Sequence, residues 1–395
     1  MSIQETPRTE RPHIGLFGRR NAGKSSLINA LTGQETALVS AVPGTTTDPV
    51  LKSFELRGVG PVVFLDTAGL DDEGALGDLR VARTRQAAER TDLALLVLTD
   101  GQGPERAWLD RFRERGVPVV AALNKCDERP AGTAEALSEA LGLPVLPVSA
   151  RTGEGIDRLR QALARAIPDD FWDLSITGDL VRAGDTVLLV MPQDIQAPKG
   201  RLILPQVQTL RELLDKRCAV MSCTADALDG TLAALAKAPD LIVTDSQVFP
   251  LVWEKKPPES RLTSFSILFA GYKGDIRAFL DGAAAIDRLG DGSRILIAEA
   301  CAHAPTKEDI GREKIPRLLR AKAGDGLRFD FVRGNDWPED LSGYDLIVHC
   351  GACMTNRRHV LGRIAQAQAA GVAICNYGVV LAKLAGILDK VCTTA

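Results

Sequence analysis

The stretch Ile14-Gly15-Leu16-Phe17-Gly18-Arg19-Arg20-Asn21-Ala22-Gly23-Lys24-Ser25-Ser26-Leu27-Ile28-Asn29-Ala30-Leu31 decides the fold of the first part of the chain. Its apolar opening reads as a strand and its close as a helix. Between them, Gly18 to Ser25 fits the phosphate-loop pattern G-x-x-x-x-G-K-S, in the strand–loop–helix context that the motif requires. Glycines let backbone amides close around phosphate oxygens, and the helix start presents its positive end to them. Lys24 is placed to neutralise the β- and γ-phosphates, and the Ser25 hydroxyl to bind Mg²⁺. Gly18, Asn21, Gly23, Lys24, Ser25 and Ser26 are the nucleotide-binding candidates of this loop.

Further along, the other parts of a nucleotide switch follow in order. Asp66-Thr67-Ala68-Gly69 ends the strand-like PVVFLD (61–66); Asp66 can hold Mg²⁺ through water, and the Gly69 amide can sense the γ-phosphate. Asn124-Lys125-Cys126-Asp127 ends a second strand-like run. A carboxylate at Asp127 can accept from both guanine N1–H and the exocyclic amine, donors that adenine lacks, so the motif selects GTP and GDP. Ser149-Ala150 closes the guanine pocket, and Cys126 is a filler at a variable position. The residue after Gly69 is Leu70. An apolar side chain cannot orient water, so intrinsic hydrolysis is expected to be slow.

These motifs resemble those of the Era/TrmE group of GTPases. Pro43-Gly44-Thr45-Thr46-Thr47-Asp48 looks like the group's first switch, with Thr47 where an Arg is usual. The resemblance implies that Thr46 coordinates Mg²⁺ when GTP is bound, and that Asn21 helps to hold an activating K⁺. Lys24, Thr46, Asp66 and Gly69 are then the catalytic candidates. An RNA-modification or ribosome-assembly GTPase with a structural metal site is the rival reading for the whole chain.

The chain has 395 residues, 45% hydrophobic and 25% charged, which suits two or three globular domains at roughly 150 residues each. Strand-like runs alternate with helical patterns, which predicts α/β domains with parallel sheets. The first unit covers residues 1–170. A second, 180–265, holds the strand-like TVLLVM (186–191), CAVMS (218–222) and LIVT (241–244). The apolar run LTSFSILFA (262–270) reads as a further strand. The third unit, 266–395, carries RILIAEAC (294–301), LRFDFV (327–332), DLIVHC (345–350) and GVAICN (371–376). No apolar run approaches the roughly 18 residues of a membrane span, and the polar N-terminus carries no signal-peptide pattern. A cytoplasmic protein without membrane or nucleic-acid partners is expected; the net charge of −3 agrees, because nucleic-acid binders are more often basic.

Metal-type residues cluster in the last third as Cys301-Ala302-His303 and His349-Cys350-Gly351-Ala352-Cys353. Cys301 and Cys350 each end a predicted strand, where ligand sites of open α/β sheets lie. C-x-x-C lets two thiolates reach one centre from a single turn. Donor chemistry alone leaves zinc and an iron–sulfur cluster equally open. Cys375 reads as a buried thiol, and Cys218, Cys223 and Cys392 as non-ligands. Arg357, Arg358 and His359 begin the next helix.

Cys-x-His, about 45 residues, then His-Cys-x-x-Cys is similar to the signature of the HydF family of FeFe-hydrogenase maturation GTPases. PQDIQAPKGRLILPQ (192–206) looks like that family's middle segment. The resemblance spans essentially the full chain. It implies a P-loop GTPase domain, an α/β dimerisation domain and an α/β 4Fe–4S cluster-binding domain, with Cys301, Cys350 and Cys353 as cluster ligands. His303 and His349 become either a weak fourth ligand or donors to cluster sulfur. Also implied are a homodimer, radical-SAM maturases and apo-hydrogenase as partners, and a scaffold role for a di-iron precursor.

Overall fold

The computed structural model describes residues 7–33, 50–67, 83–99, 104–168, 171, 173–192, 202–300, 309–334 and 336–394. The chain divides into two compact units, Met1–Asp173 and Leu174–Ala395. No described helix is long and apolar enough to cross a membrane.

The first unit is built on β1 (His13–Phe17), β2 (Val50–Leu56), β3 (Gly60–Asp66), β4 (Leu93–Leu98), β5 (Val119–Leu123) and β6 (Val145–Pro147). Their order is β2-β3-β1-β4-β5-β6, with only β2 antiparallel to its neighbour. β1 and β4 are buried along their whole length because helices cover both faces, which is why they read as unbroken apolar runs. Helices Lys24–Thr32 and Ile156–Ala166 pack Leu27, Ile28, Leu159 and Leu163 on one face. Helices Glu105–Glu114 and Thr133–Leu141 pack Leu109, Phe112 and Leu137 on the other. Strand β2 was not anticipated: it is an edge strand with charged Lys52 and Glu55, and no apolar run announces it.

The second unit holds two four-stranded parallel sheets. β7 (Thr186–Val190), β8 (Ala219–Cys223), β9 (Leu241–Thr244) and β10 (Arg261–Ser264) are ordered β10-β9-β7-β8. β11 (Arg294–Glu299), β12 (Arg328–Arg333), β13 (Leu346–His349) and β14 (Ala373–Asn376) are ordered β12-β11-β13-β14. Alternate residues of β7 face opposite ways. Val187 and Leu189 pack with Leu213, Phe265 and Leu268. Leu188 and Val190 join a core that continues through Ile276 and Phe279 to Ile295, Ile297 and Val348. The two sheets therefore share one hydrophobic core.

Residues 262–270 are not one strand. β10 stops at Ser264, and Phe265–Lys273 is a helix. Ser264 caps it by accepting from the Ile267 amide at 3.3 Å. Phe265, Ile267, Leu268, Phe269 and Ala270 are all buried; a helix apolar on every side leaves no periodic stripe to distinguish it from a strand. At its far end the Arg357 guanidinium donates to the carbonyls of Gly271 and Tyr272, each at 3.0 Å, and of Gly274 at 2.5 Å. Residues beyond β14 return to the other sheet: the Cys392 amide donates to Leu262 O at 2.9 Å, and the Thr263 hydroxyl to Cys392 O at 2.7 Å.

Candidate functional site

The phosphate loop leaves β1 and enters helix Lys24–Thr32 through left-handed residues Asn21 (φ 60°) and Gly23 (φ 82°). A Cβ on Gly23 would stand 2.4 Å from Asn124 Nδ2, so only glycine fits where the base-recognition strand meets the loop. Lys24 Nζ donates to Gly18 O at 2.8 Å and Arg19 O at 2.9 Å. The Ser25 hydroxyl donates to Asp66 Oδ2 at 2.7 Å, which brings together two of the three Mg²⁺-type candidates of the first unit.

Asn124 ties the base side to the loop. Its Nδ2 donates to Ala22 O at 2.8 Å, and its Oδ1 accepts from the Ala150 amide at 3.2 Å. Gly23, Ser26, Asn124, Lys125, Asp127 and Ala150 line one cavity of about 370 Å³. Hydrogen bonding by the Ser149 hydroxyl, joined by Arg151, holds the Asp127 carboxyl below its ordinary range, so it stays an acceptor. Arg151, an exposed side chain that was not anticipated, forms an ion pair with that same carboxylate. Burial, then Glu154, pushes the Cys126 thiol up; it stays protonated beside the base pocket. Thr46, Gly69 and Leu70 lie outside the described residues.

The C-terminal candidates lie at the carboxyl ends of β11 and β13, which are neighbours in register through Ala298 and His349. Cys350 steps off β13, its amide bonded to Ala298 O at 2.9 Å. Its Sγ accepts from the Ala300 amide at 3.1 Å and the Ala352 amide at 3.5 Å. Ala352 adopts φ 51° and is buried, which turns the C-x-x-C segment tightly enough to return its amide to the first sulfur. Burial pushes the Cys350 thiol up, and these two amides pull against it. Cys301 and His303 lie outside the described residues. Among the described residues no three His, Cys, Asp or Glu side chains form a metal-type group. Soft sulfur donors with amides at Sγ fit a thiolate-bound group.

His349 is fully buried. Its Nδ1 meets Cys350 O at 2.7 Å and its Nε2 meets Arg363 Nη1 at 3.0 Å. Burial and the Arg363 charge lower its pKa to about 3. Arg363 was missed in the sequence, although Val360, Arg363, Ile364 and Ala367 form one buried stripe that places this arginine on the inner face of its helix. Cys375 is buried, donates to Phe279 O at 3.3 Å, and is pushed up to about 12 by burial.

Residues 176–274 match the hydrogen maturase F dimerization domain, and residues 277–394 the hydrogen maturase F tetramerization domain. The chain belongs to the hydrogen maturase F family. Its tetramerization domain is the part that carries the C-x-x-C loop, and the two matched domains mark the protein as an oligomer-forming one. Residues 13–125 match the 50S ribosome-binding GTPase model, so a GTPase domain precedes the two maturase domains. That domain is 44% identical over 155 residues to tRNA modification GTPase MnmE of Symbiobacterium thermophilum, covering 38% of this chain and 34% of the relative. It is 41% identical over 162 residues to the MnmE of Chromobacterium violaceum, covering 40% and 35%. The chain thus spans about a third of the length of these curated relatives. Among solved structures, the G domain of the T. maritima FeoB iron transporter is 26% identical, covering 40% of this chain and 99% of that one, with a TM-score of 0.32. NFeoB from S. thermophilus bound to GDP, AlF4⁻ and K⁺ is 25% identical, covering 39% and 62%, with a TM-score of 0.30. With scores this low, the GTPase fold of the maturase rests on its sheet order and motifs.

Proposed function

We propose that this maturase is a GTP-hydrolysing scaffold that holds the di-iron precursor of the FeFe-hydrogenase active site and delivers it to the apo-enzyme. One observation carries the proposal: a chain with both maturase F domains places Cys350 and its amide donors at the joint end of β11 and β13.

In the GTPase domain, loop amides and Lys24 would bind the phosphates, with Lys24 exchanging its carbonyl partners for phosphate oxygens. Asp127 and Asn124 would recognise and fix the guanine side. Ser25, Thr46 and Asp66 would hold Mg²⁺, which supplies charge neutralisation at the phosphates. Asn21 would serve an activating K⁺. In the C-terminal domain, Cys301, Cys350 and Cys353 would ligate a 4Fe–4S cluster, whose bound form supplies an exchangeable iron position for cargo. His303 would adjust that position, and His349 would position the cysteine loop through its bond to Cys350 O. GTP would act as a switch for partner affinity, which requires the two nucleotide states to differ in free energy of interaction with the partner. Radical-SAM maturases would supply the cargo to a homodimeric, cytoplasmic scaffold. The likeness to tRNA-modification GTPases covers 38% of the chain, so it supports the switch and not that pathway.

The test uses the full chain reconstituted without oxygen. Wild type should bind iron and sulfide and, once loaded with a synthetic di-iron precursor, activate apo-hydrogenase. Cys350→Ala should lose most iron, keep GTP hydrolysis and fail to activate. Activation by a cluster-free Cys350→Ala protein would refute the scaffold role; failure of loaded wild type would remove the hydrogenase assignment.

A further inference from the structure

Tyr377 follows β14 directly, as Cys350 follows β13. The two strands pair in register through His349 and Asn376, so the tyrosine and the cysteine leave the sheet side by side. Tyr377 begins helix Tyr377–Leu384. Its hydroxyl oxygen is buried and has no hydrogen-bond partner among the described residues. A buried hydroxyl left unpaired is costly, which calls for a reason.

The surroundings supply one. Burial, then the charges of Cys350, Glu299 and Asp309, push the phenol above its ordinary range, so the hydroxyl stays a donor. The two carboxylates that could take its proton are engaged elsewhere. Asp309 accepts from the Gly311 amide at 2.9 Å and the Arg312 amide at 3.0 Å. Glu299 accepts from Arg333 at 2.8 Å and pairs with Arg312 at 3.6 Å. The backbone has been cleared for the hydroxyl: a Cβ on Gly311 would lie 2.0 Å from it. Gly311 belongs to a π-helix, Ile310–Lys314, a form of well under 1% of residues that is frequent at functional sites.

We infer that the Tyr377 hydroxyl is the donor kept for the occupant of the cysteine site, and that it bonds an anionic acceptor there, either cluster sulfur or an exchangeable anion on the open iron. The inference rests on the cluster reading above and adds a specificity-determining residue to it.

Tyr377→Phe in the full chain removes the hydroxyl and keeps the ring. Without iron, the variant should be as stable as wild type or more so, since the hydroxyl has no hydrogen-bond partner among the described residues. After reconstitution both proteins should carry the same iron. A lower cluster reduction potential in the variant, with unchanged cyanide affinity, identifies cluster sulfur as the acceptor. A cyanide affinity weakened roughly tenfold identifies the exchangeable anion. Equal potential and equal cyanide affinity in two equally loaded proteins would overturn the inference while leaving the cluster intact. Wild type that takes up no iron would overturn the cluster reading itself, and this inference with it.

Discussion

The Arg363 guanidinium donates to His349 Nε2 at 3.0 Å within the core of the C-terminal sheet. A guanidinium has donors only, so Nε2 is the acceptor and the ring proton sits on Nδ1, aimed at Cys350 O at 2.7 Å. Arg363 also donates to Gly334 O at 2.5 Å and lies over the Trp337 ring at 4.6 Å. Both nitrogens of His349 are thus committed, Nδ1 to the cysteine loop and Nε2 to Arg363. His349→Ala should therefore retain most of the iron of reconstituted protein while changing its spectrum. Iron falling to the level of Cys350→Ala would return His349 to the ligand set.

Arg363→Leu should destabilise the second unit by about 2 kcal/mol, the scale of hydrogen bonds to a charged group. Urea unfolding followed in both units by site-specific probes would measure it. The GTPase transition should not move, since Arg363 lies outside that unit.

Arg151 occupies Asp127 in this structure, and guanine must compete for the same carboxylate. The arginine side chain is 71% exposed, and water screens such a pair, so it is weak. Arg151→Ala should therefore tighten GDP binding by no more than about fivefold. Calorimetric titration at matched ionic strength reads this directly; a large loss of affinity would instead make Arg151 a nucleotide ligand.

Hydrolysis is expected to be Mg²⁺-dependent, slow, and faster in K⁺ than in Na⁺, because Leu70 cannot position water and Asn21 holds the K⁺ position of the Era/TrmE pattern. Equal rates in the two salts would remove the K⁺ site. Asn21→Ala should abolish the difference between the salts without abolishing GDP binding.

The Glu212 carboxylate accepts from Ser175 Oγ at 2.8 Å, the Ile176 amide at 2.6 Å, and the Thr177 amide and hydroxyl at 2.9 and 2.6 Å. Burial raises its pKa, but these bonds outweigh burial and hold the carboxyl below its ordinary range. The unfolded chain therefore binds the proton more readily. The stabilisation is present above about pH 4.5 and is lost as pH falls below it. Glu212→Gln should cost about 2 kcal/mol near neutral pH and flatten the acid limb of a stability–pH curve. An unchanged limb would show that these bonds contribute nothing net.

Buried parallel strands and the nucleotide motifs were legible because their apolar runs and spacings are local. Edge strand β2 was not, since Lys52 and Glu55 put a charge on each of its faces and break the apolar pattern. Helix Phe265–Lys273 failed for the opposite reason, being buried on all sides. At the cysteine site, the placement of Cys350 at the end of β13 could be read, but the supports could not. Arg363 meets His349 by the packing of its helix against the sheet, and Tyr377 comes beside Cys350 in the chain path by the pairing of β13 with β14, relations no sequence window contains. A charged residue on the stripe Val360, Arg363, Ile364 and Ala367 was the one local trace of it.

The return of Cys392 to Leu262 and Thr263 has a consequence for synthesis. Strand β10 is an edge of its sheet, and the partner that covers it comes 129 residues later in the chain. At translation rates of about 5–20 residues per second, that edge waits on the order of ten seconds for its cover. The GTPase domain, whose own late contacts such as Arg160 to Leu31 also span 129 residues, is made first and can fold while the rest is still being made. During the interval, β10 offers unpaired backbone groups to other nascent chains on the same message. A chaperone that acts on this protein would have its work there, on the ribosome, well before any question of nucleotide or iron arises.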